Sequence, residues 1–464
     1  MPDLAASDFR EGLPGGLVRR WATDADIEPI AALLGSTLRR AQDPMPDPNT
    51  AAGTRLILDS DFPFMHGAAD AAVIEDPGRA EMPIVACTFF WRHTWSYAGI
   101  PFGVTRPELV GTDPAYRRRG LIRALFEMIH ARGASEGHLL SAITGIPYFY
   151  RQFGYEYVFD LDGNRTAYFS LIPDIDAGQV EPCRLRPATL ADVEQLKAMY
   201  DASRGDSLVW HEVGPEHWRS EVNLWDDPRV RDADPRTHGA DSRYWMIETR
   251  EGDVAGSIRI ASRRRGGALY VDELVFARDA DVEAIVPSLM RALRDIGRST
   301  PGRGYGEVVP CSEIELTMGA SHPIYDLLGN DIAPKREDPY AWLVRVPDAP
   351  AFLRHVQPAL DARLERSVFA ASSSIVEIDL YRGGLRLVIE RGHVTEIEPW
   401  QAPVPEEDST TMGSPPLTFL QLLLGHRGIE ELVDWYPDVW VRSDRRLLVD
   451  TLFPKIPSTV HQLV

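Results

Sequence analysis

The chain has 464 residues, 44% of them hydrophobic, and a formal charge of −20 from 49 Lys+Arg against 69 Asp+Glu. That length exceeds one hydrophobic core and predicts three domains, while the negative field excludes nucleic acid and anionic membrane as partners and favours a cationic small molecule. Cys87, Cys183 and Cys311 are scattered and odd in number, so neither a disulfide framework nor a metal site is expected and a reducing cytoplasm fits best.

The N-terminal stretch "MPDLAASDFREGLPGG" has neither a basic n-region nor an apolar h-region, and "FLQLLL" at 419–424 is too short to span a bilayer; a soluble chain is expected. The segment "RWATDADIEPI" at 20–30 is echoed by "RPATLADVEQL" at 186–196. Both fit A-T-x-x-D-[IV]-E-x-[IL]: Thr23 and Thr189 sit where an N-cap belongs, and Asp26 and Asp192 fall in the first turn, where they complement the helix dipole. A strand capped into a first helix, repeated, predicts a domain duplication.

The first copy continues through a β-rich stretch, "MPIVACTFFWRHTW" (82–95), to an apolar strand ending at Thr112. A helix follows in which Leu121, Ile122, Leu125, Met128 and Ile129 share one face, with Gly133 expected as its C-cap after His130 and Arg132. Linkers are expected at "GQVEP" (178–182) and "VPDAPAF" (346–352), giving domains 1–172, 173–346 and 347–464. The third opens with a helix near 350–366 and then alternates with period two around a Gly383-Gly384 turn. Helices are expected from "PPLTFLQLLLG" and "GIEELVDWYP", and a strand from "RRLLVDTLFP".

The charge of "VGTDPAYRRRGLIRAL", 110–125, stands out in an acidic chain. A strand that turns into a helix N-terminus presents a concave set of amides backed by partial positive charge, a site suited to phosphate. Gly120 lets the ligand approach the backbone, Arg117, Arg118 and Arg119 surround it with charge, and Arg123 follows one turn later. The alternative is an arginine-rich solvated helix start.

This stretch resembles the acetyl-CoA-binding motif of the Gcn5-related N-acetyltransferase (GNAT) superfamily, R/Q-x-x-G-x-G/A, with Arg117, Gly120 and Ile122 in its three positions. Over nearly its whole length the chain is similar to the enhanced-intracellular-survival type of these enzymes, which shows "RRRG" followed by aliphatic residues and a later Y-x-x-F-G-Y, here Tyr150 to Tyr155. The resemblance implies an α+β chain of two tandem GNAT domains, the second degenerate, and a C-terminal sterol-carrier-like domain. It implies acetyl-CoA as acyl donor without a metal, Val110 and Thr112 pairing with the pantetheine arm, amides from Arg118 to Arg123 holding the pyrophosphate, and assembly into hexamers. In the second copy the place of the arginines is taken by "FARDADVEAIV", where Asp279, Asp281 and Glu283 would repel pyrophosphate.

Acetyl transfer to an amine needs a route for the amine's proton and stabilisation of the departing thiolate. The resemblance implies Tyr150 as the general acid; Tyr148, Tyr155 and Tyr157 are expected to pack. No Glu or His in the first domain has an evident base context, and His66 is expected to be a loop residue. The resemblance implies a terminal carboxylate as base, which would be that of Val464. The expected acceptor is a cationic amine, aminoglycoside- or polyamine-like, or a lysine side chain. The rival function is a non-enzymatic acyl-CoA or lipid-binding protein that uses the third domain.

Overall fold

In the computed structural model, which describes residues 3–39, 45–59, 62–303, 309–402, 410–458 and 460, both copies of the repeated pattern fold into the same turn. The amide and hydroxyl of Thr23 donate to Oδ2 of Asp26 at 2.8 and 3.0 Å, and those of Thr189 to Oδ2 of Asp192 at 2.8 and 2.8 Å. An arginine at the strand end grips each aspartate, Arg20 and Arg186 both at 2.7 Å, and reaches on to a glutamate of a neighbouring strand, Glu75 at 2.8 Å and Glu248 at 2.6 Å. Each turn thus satisfies its helix-start donors from its own short sequence.

The described residues form three sheets. The first has the spatial order β1 (Arg10–Gly12), β2 (Val18–Trp21), β3 (Ala71–Glu75), β4 (Ile84–Tyr97), β5 (Ile100–Thr112), β6 (Leu140–Ile143), β16 (Tyr340–Arg345), β7 (Glu156–Leu161), with β10 (Val209–Glu212) paired to β4. The second runs β15 (Lys335–Glu337), β8 (Asn164–Tyr168), β14 (Glu313–Leu316), β13 (Ala268–Phe276), β12 (Val254–Ala261), β11 (Ser242–Thr249), β9 (Cys183–Pro187). The third runs β19 (His393–Trp400), β18 (Gly384–Glu390), β17 (Ser374–Asp379), β20 (Met412–Gly413), β21 (Trp440–Val441). Helices α1 (Ile27–Thr37), α2 (Pro48–Leu58) and α3 (Leu121–Ser135) accompany the first sheet. The second carries α4 (Val193–Ala202), α5 (Pro215–Asn223), α6 (Pro228–Arg231), α7 (Val282–Ser299) and α8 (Ile324–Ile332). The third carries α9 (Ala349–His355), α10 (Gln357–Glu365), α11 (Pro416–Leu423), α12 (Ile429–Trp435) and α13 (Arg446–Leu452).

Three strands cross the spans 1–172 and 173–346; β10 pairs with β4 of the first sheet, Val209 opposite Tyr97. β8 joins the second sheet beside β14, and β16 inserts into the first between β6 and β7, with Arg345 opposite Ser141 and Val344 opposite Glu156. The first two units therefore complete each other's sheets.

Two local readings are corrected. Gly133 does not end α3, which runs on to Ser135; a Cβ at Gly133 would come within 2.1 Å of Thr105 Oγ1, so the glycine lets the helix lie directly on β5. "RRLLVDTLFP" forms helix α13 rather than a strand, because Leu448, Val449 and Leu452 recur at helical spacing and bury one face.

Candidate active site

The site begins where two parallel strands part. β5 and β6 pair only at Val104–Leu140 and Thr105–Ser141, while β5 continues from Arg106 to Thr112 with β4 as its partner. The register of β4 and β5 shifts between Cys87 and Phe89, opposite Leu109, whose φ of +49° turns the strand. Val110 and Thr112 lie on this open stretch, half-buried, with one strand edge available to an extended ligand.

The strand then turns through Arg117–Gly120 into α3. Gly120, at φ +76°, is the N-cap and supplies no side-chain acceptor, and the first turn contains no acid. The first amides of α3 are therefore left for a ligand, under the positive end of the helix dipole. Arg117 and Arg118 are exposed and make no ion pair among the described residues. Arg119 lies over the Tyr116 ring at 4.7 Å, and Arg123 donates to Gln152 Oε1 at 3.0 Å. Ile122, at the third motif position, is half-buried and packs its side chain towards the core on both sides of α3.

The second copy closes the same features. Asp281 caps α7 by accepting from the Ala284 amide at 3.2 Å, and Glu283 adds a second negative charge to the first turn. β13 and β14 pair at four rungs, from Ala268–Glu313 to Val271–Leu316. Beyond them the Thr317 amide donates to the Val271 carbonyl at 2.9 Å and His322 Nε2 to that of Leu274 at 3.0 Å. The chain itself thus takes the strand edge that the first copy leaves open.

Tyr150 lies in the short turn Phe149–Phe153 and is 3% exposed. Its ring stacks on Phe126 at 5.7 Å, and its hydroxyl makes no hydrogen bond among the described residues. Burial, reinforced by the negative charge of Glu108, pushes its pKa well above that of an ordinary tyrosine, so the phenol keeps its proton at neutral pH. Tyr155 is occupied structurally: its hydroxyl meets Ser141 Oγ at 2.6 Å and His130 Nε2 at 2.8 Å. The Tyr157 hydroxyl accepts from the Tyr148 amide, and Tyr148 does not pack as expected: the positive φ of its backbone sends the ring into solvent. His66 is an exposed loop residue.

Three residues escaped the sequence reading. Glu108, on the open stretch of β5, accepts from Nε of the fully buried Arg106 at 2.7 Å. Arg106 in turn lies between the rings of Trp91 and Trp342, at 5.1 and 5.0 Å. Arg106 and Glu108 are two apart in an apolar strand, so they share one face; that polar interruption was the available signal. Trp342 arrives on β16, which no local pattern announces. Val464 lies outside the described residues, but the carbonyl of Val460 accepts from Trp342 Nε1 at 3.0 Å.

Residues 20–158 match the family described as acetyltransferase (GNAT) domain, a span that includes β5, the arginine turn, α3 and Tyr150. The fold is similar to that of a probable N-acyltransferase from Enterococcus faecalis V583, at 14% identity and TM-score 0.63, covering 96% of this chain and 99% of that one. It is equally similar to a GCN5-related N-acetyltransferase from Anabaena variabilis ATCC 29413, with the same identity, TM-score and coverage. Eis1 from Mycobacterium abscessus aligns at 15% identity and TM-score 0.56, covering 97% of this chain and 99% of that one. A comparison with curated protein sequences finds no match. The chain carries a GNAT acetyltransferase domain and is an acyltransferase. No helix among the described residues is long and apolar enough to cross a membrane.

Proposed function

We propose that the first unit transfers an acetyl group from acetyl-CoA directly to an amine of a cationic small molecule or a lysine side chain. The observation that carries this reading is the uncapped start of α3, flanked by Arg117, Arg118 and Arg119 and continuous with the open edge of β5. These residues fit the coenzyme: amides from Arg118 to Arg123 hold the pyrophosphate, and the backbone of Val110 and Thr112 pairs with the pantetheine arm. Bound there, acetyl-CoA supplies the thioester carbonyl that the amine attacks. Tyr150, protonated and without a competing hydrogen bond, delivers a proton to the sulfur as it leaves. Glu108 attracts the protonated amine and accepts its proton, Arg106 fixing the carboxylate.

A second assignment of the base, the terminal carboxylate of Val464, draws on the docking of Val460 against Trp342, the ring that also covers Arg106. We read the second unit as a degenerate GNAT domain whose groove is filled by its own chain, and the third as a sterol-carrier-like α+β domain that walls the site. Hexamer assembly follows from the family resemblance, and a cytoplasmic setting from the scattered, odd-numbered cysteines.

The test is turnover of acetyl-CoA with a panel of amines. Acetylation of polyamines or aminoglycosides in preference to neutral arylamines supports the reading. Coenzyme or lipid binding without turnover on any amine overturns it in favour of a carrier.

A further inference from the structure

We infer that the adenosine end of the coenzyme lies in the cleft between the Ile146–Gln152 loop and helix α11, stacked on Tyr148 and walled by Leu417 of the third unit. The inference rests on the proposed binding of acetyl-CoA at α3.

The cleft has a volume of about 680 Å³, ample for a nucleoside, and Ile146, Pro147, Tyr148, Phe149 and Leu417 make its lining largely apolar. Such a lining suits the face of a purine. It is also exposed: Tyr148 is 71% and Ile146 57% accessible, two large apolar side chains on one cleft.

Tyr148 is held in that pose. Its φ of +66° is one that a bulky residue rarely adopts, and its amide is bonded to the Tyr157 hydroxyl. The Arg151 guanidinium, anchored to Glu156 at 2.7 Å, lies over the Tyr148 ring at 5.5 Å. A ring fixed in solvent by a strained backbone is organised before its partner arrives, which lowers the entropic cost of stacking.

The cleft is continuous with the phosphate turn. Gln152 lines it and accepts from Arg123, the third residue of α3, at 3.0 Å. A ligand whose pyrophosphate sits on the first turn of α3 therefore has this aromatic shelf as its neighbour, with the positive charge of Arg151 and Arg123 beside it for a further phosphate. An amine acceptor would have no use for that continuity or that charge.

The experiment compares calorimetric binding of acetyl-CoA and of S-acetyl-4′-phosphopantetheine, which lacks the adenosine end, to the full chain and to its Tyr148→Ala and Leu417→Ala variants. Loss of about tenfold in affinity for acetyl-CoA, with the truncated ligand unaffected, is expected, since stacking of a base on an aromatic ring has that order of effect. Equal effects on both ligands, or none, overturn the inference. An unchanged coenzyme affinity with a raised KM for the amine also overturns it and gives the cleft to the acceptor. Failure of the unsubstituted chain to bind either ligand would instead remove the acetyl-CoA reading on which the inference rests.

Discussion

Arg106 donates from Nε to Oε1 of Glu108 at 2.7 Å with none of its own side chain exposed, so the carboxylate enters the site as half of a buried ion pair. Removing one member deprives the other of its opposite charge, and breaking such a pair costs about 3–5 kcal/mol where both partners are buried. Glu108→Gln is expected to lower both the melting temperature and kcat/KM for the amine, the latter by roughly 10²-fold or more. The double variant Arg106→Gln with Glu108→Gln should recover stability without recovering turnover. Full activity in either variant would remove Glu108 from the chemistry.

Tyr150→Phe keeps the ring that stacks on Phe126 and deletes only the hydroxyl. Turnover is expected to fall by roughly 10²–10⁴-fold with acetyl-CoA affinity nearly unchanged, the signature of a lost proton donor. A parallel loss of coenzyme binding would show that the phenol positions the ligand rather than protonating it.

The assignment of Val464 has its own readout. Adding a few residues after Val464, or deleting the last four, should abolish turnover and leave coenzyme binding intact if the terminal carboxylate is the base, because proton transfer demands hydrogen-bond reach. An unaltered rate in the extended chain would leave Glu108 as the base.

Coenzyme stoichiometry follows from the contrast between the two helix starts. Calorimetry should give one acetyl-CoA per chain. Gly120→Asp places a carboxylate at the start of α3, as Asp281 does at α7, and together with Arg118→Glu is expected to reduce affinity by more than about tenfold through repulsion at the pyrophosphate. Two equivalent sites, or binding indifferent to these changes, would contradict the assignment.

Stability should depend on pH through the buried imidazoles at the seam between the first two units. His93 stacks on Phe64 at 4.4 Å and on His211 at 4.3 Å, while His217 of α5 packs against Phe64 at 5.6 Å. Burial drives the pKa of His93 well below its usual value and that of His217 to about 3. The unfolded chain therefore binds protons that the folded chain refuses. Each contribution is complete above the ordinary histidine pKa and is lost as pH falls from there towards the folded value, at about 1.4 kcal/mol per pH unit per histidine. Glu273, raised by burial to about 7, acts in the opposite sense between its ordinary pKa and 7 and offsets roughly one histidine. Urea denaturation at pH 7.5 and 5.0 should show a net loss on acidification that His217→Asn reduces; equal stability at both values would contradict it.

The features legible from sequence were those closed within a few residues. The Thr-Asp turns at 23–26 and 189–192, the apolar stripe of α3, the strand ending at Thr112 and the hairpin at Gly383-Gly384 each satisfy their own backbone groups locally, so composition and spacing sufficed. The arginine turn belonged to the same class, since its amides are exposed by the conformation of Arg118 and Gly120. Where burial on one face had to choose between a strand and a helix, as at Arg446–Leu452, a short apolar run was ambiguous.

What the amino-acid sequence by itself determined is thus a duplicated capped turn and one uncapped, arginine-flanked helix start, both products of neighbouring residues. Only the tertiary structure decided that β8 and β16 are exchanged, that Trp342 covers Arg106, and that His322 fills the second groove. The physical reason is separation along the chain. Trp342 and Arg106 meet through a strand pairing that no periodicity encodes, and a guanidinium in an apolar strand is tolerated there only because folding sets a carboxylate and two indole rings against it.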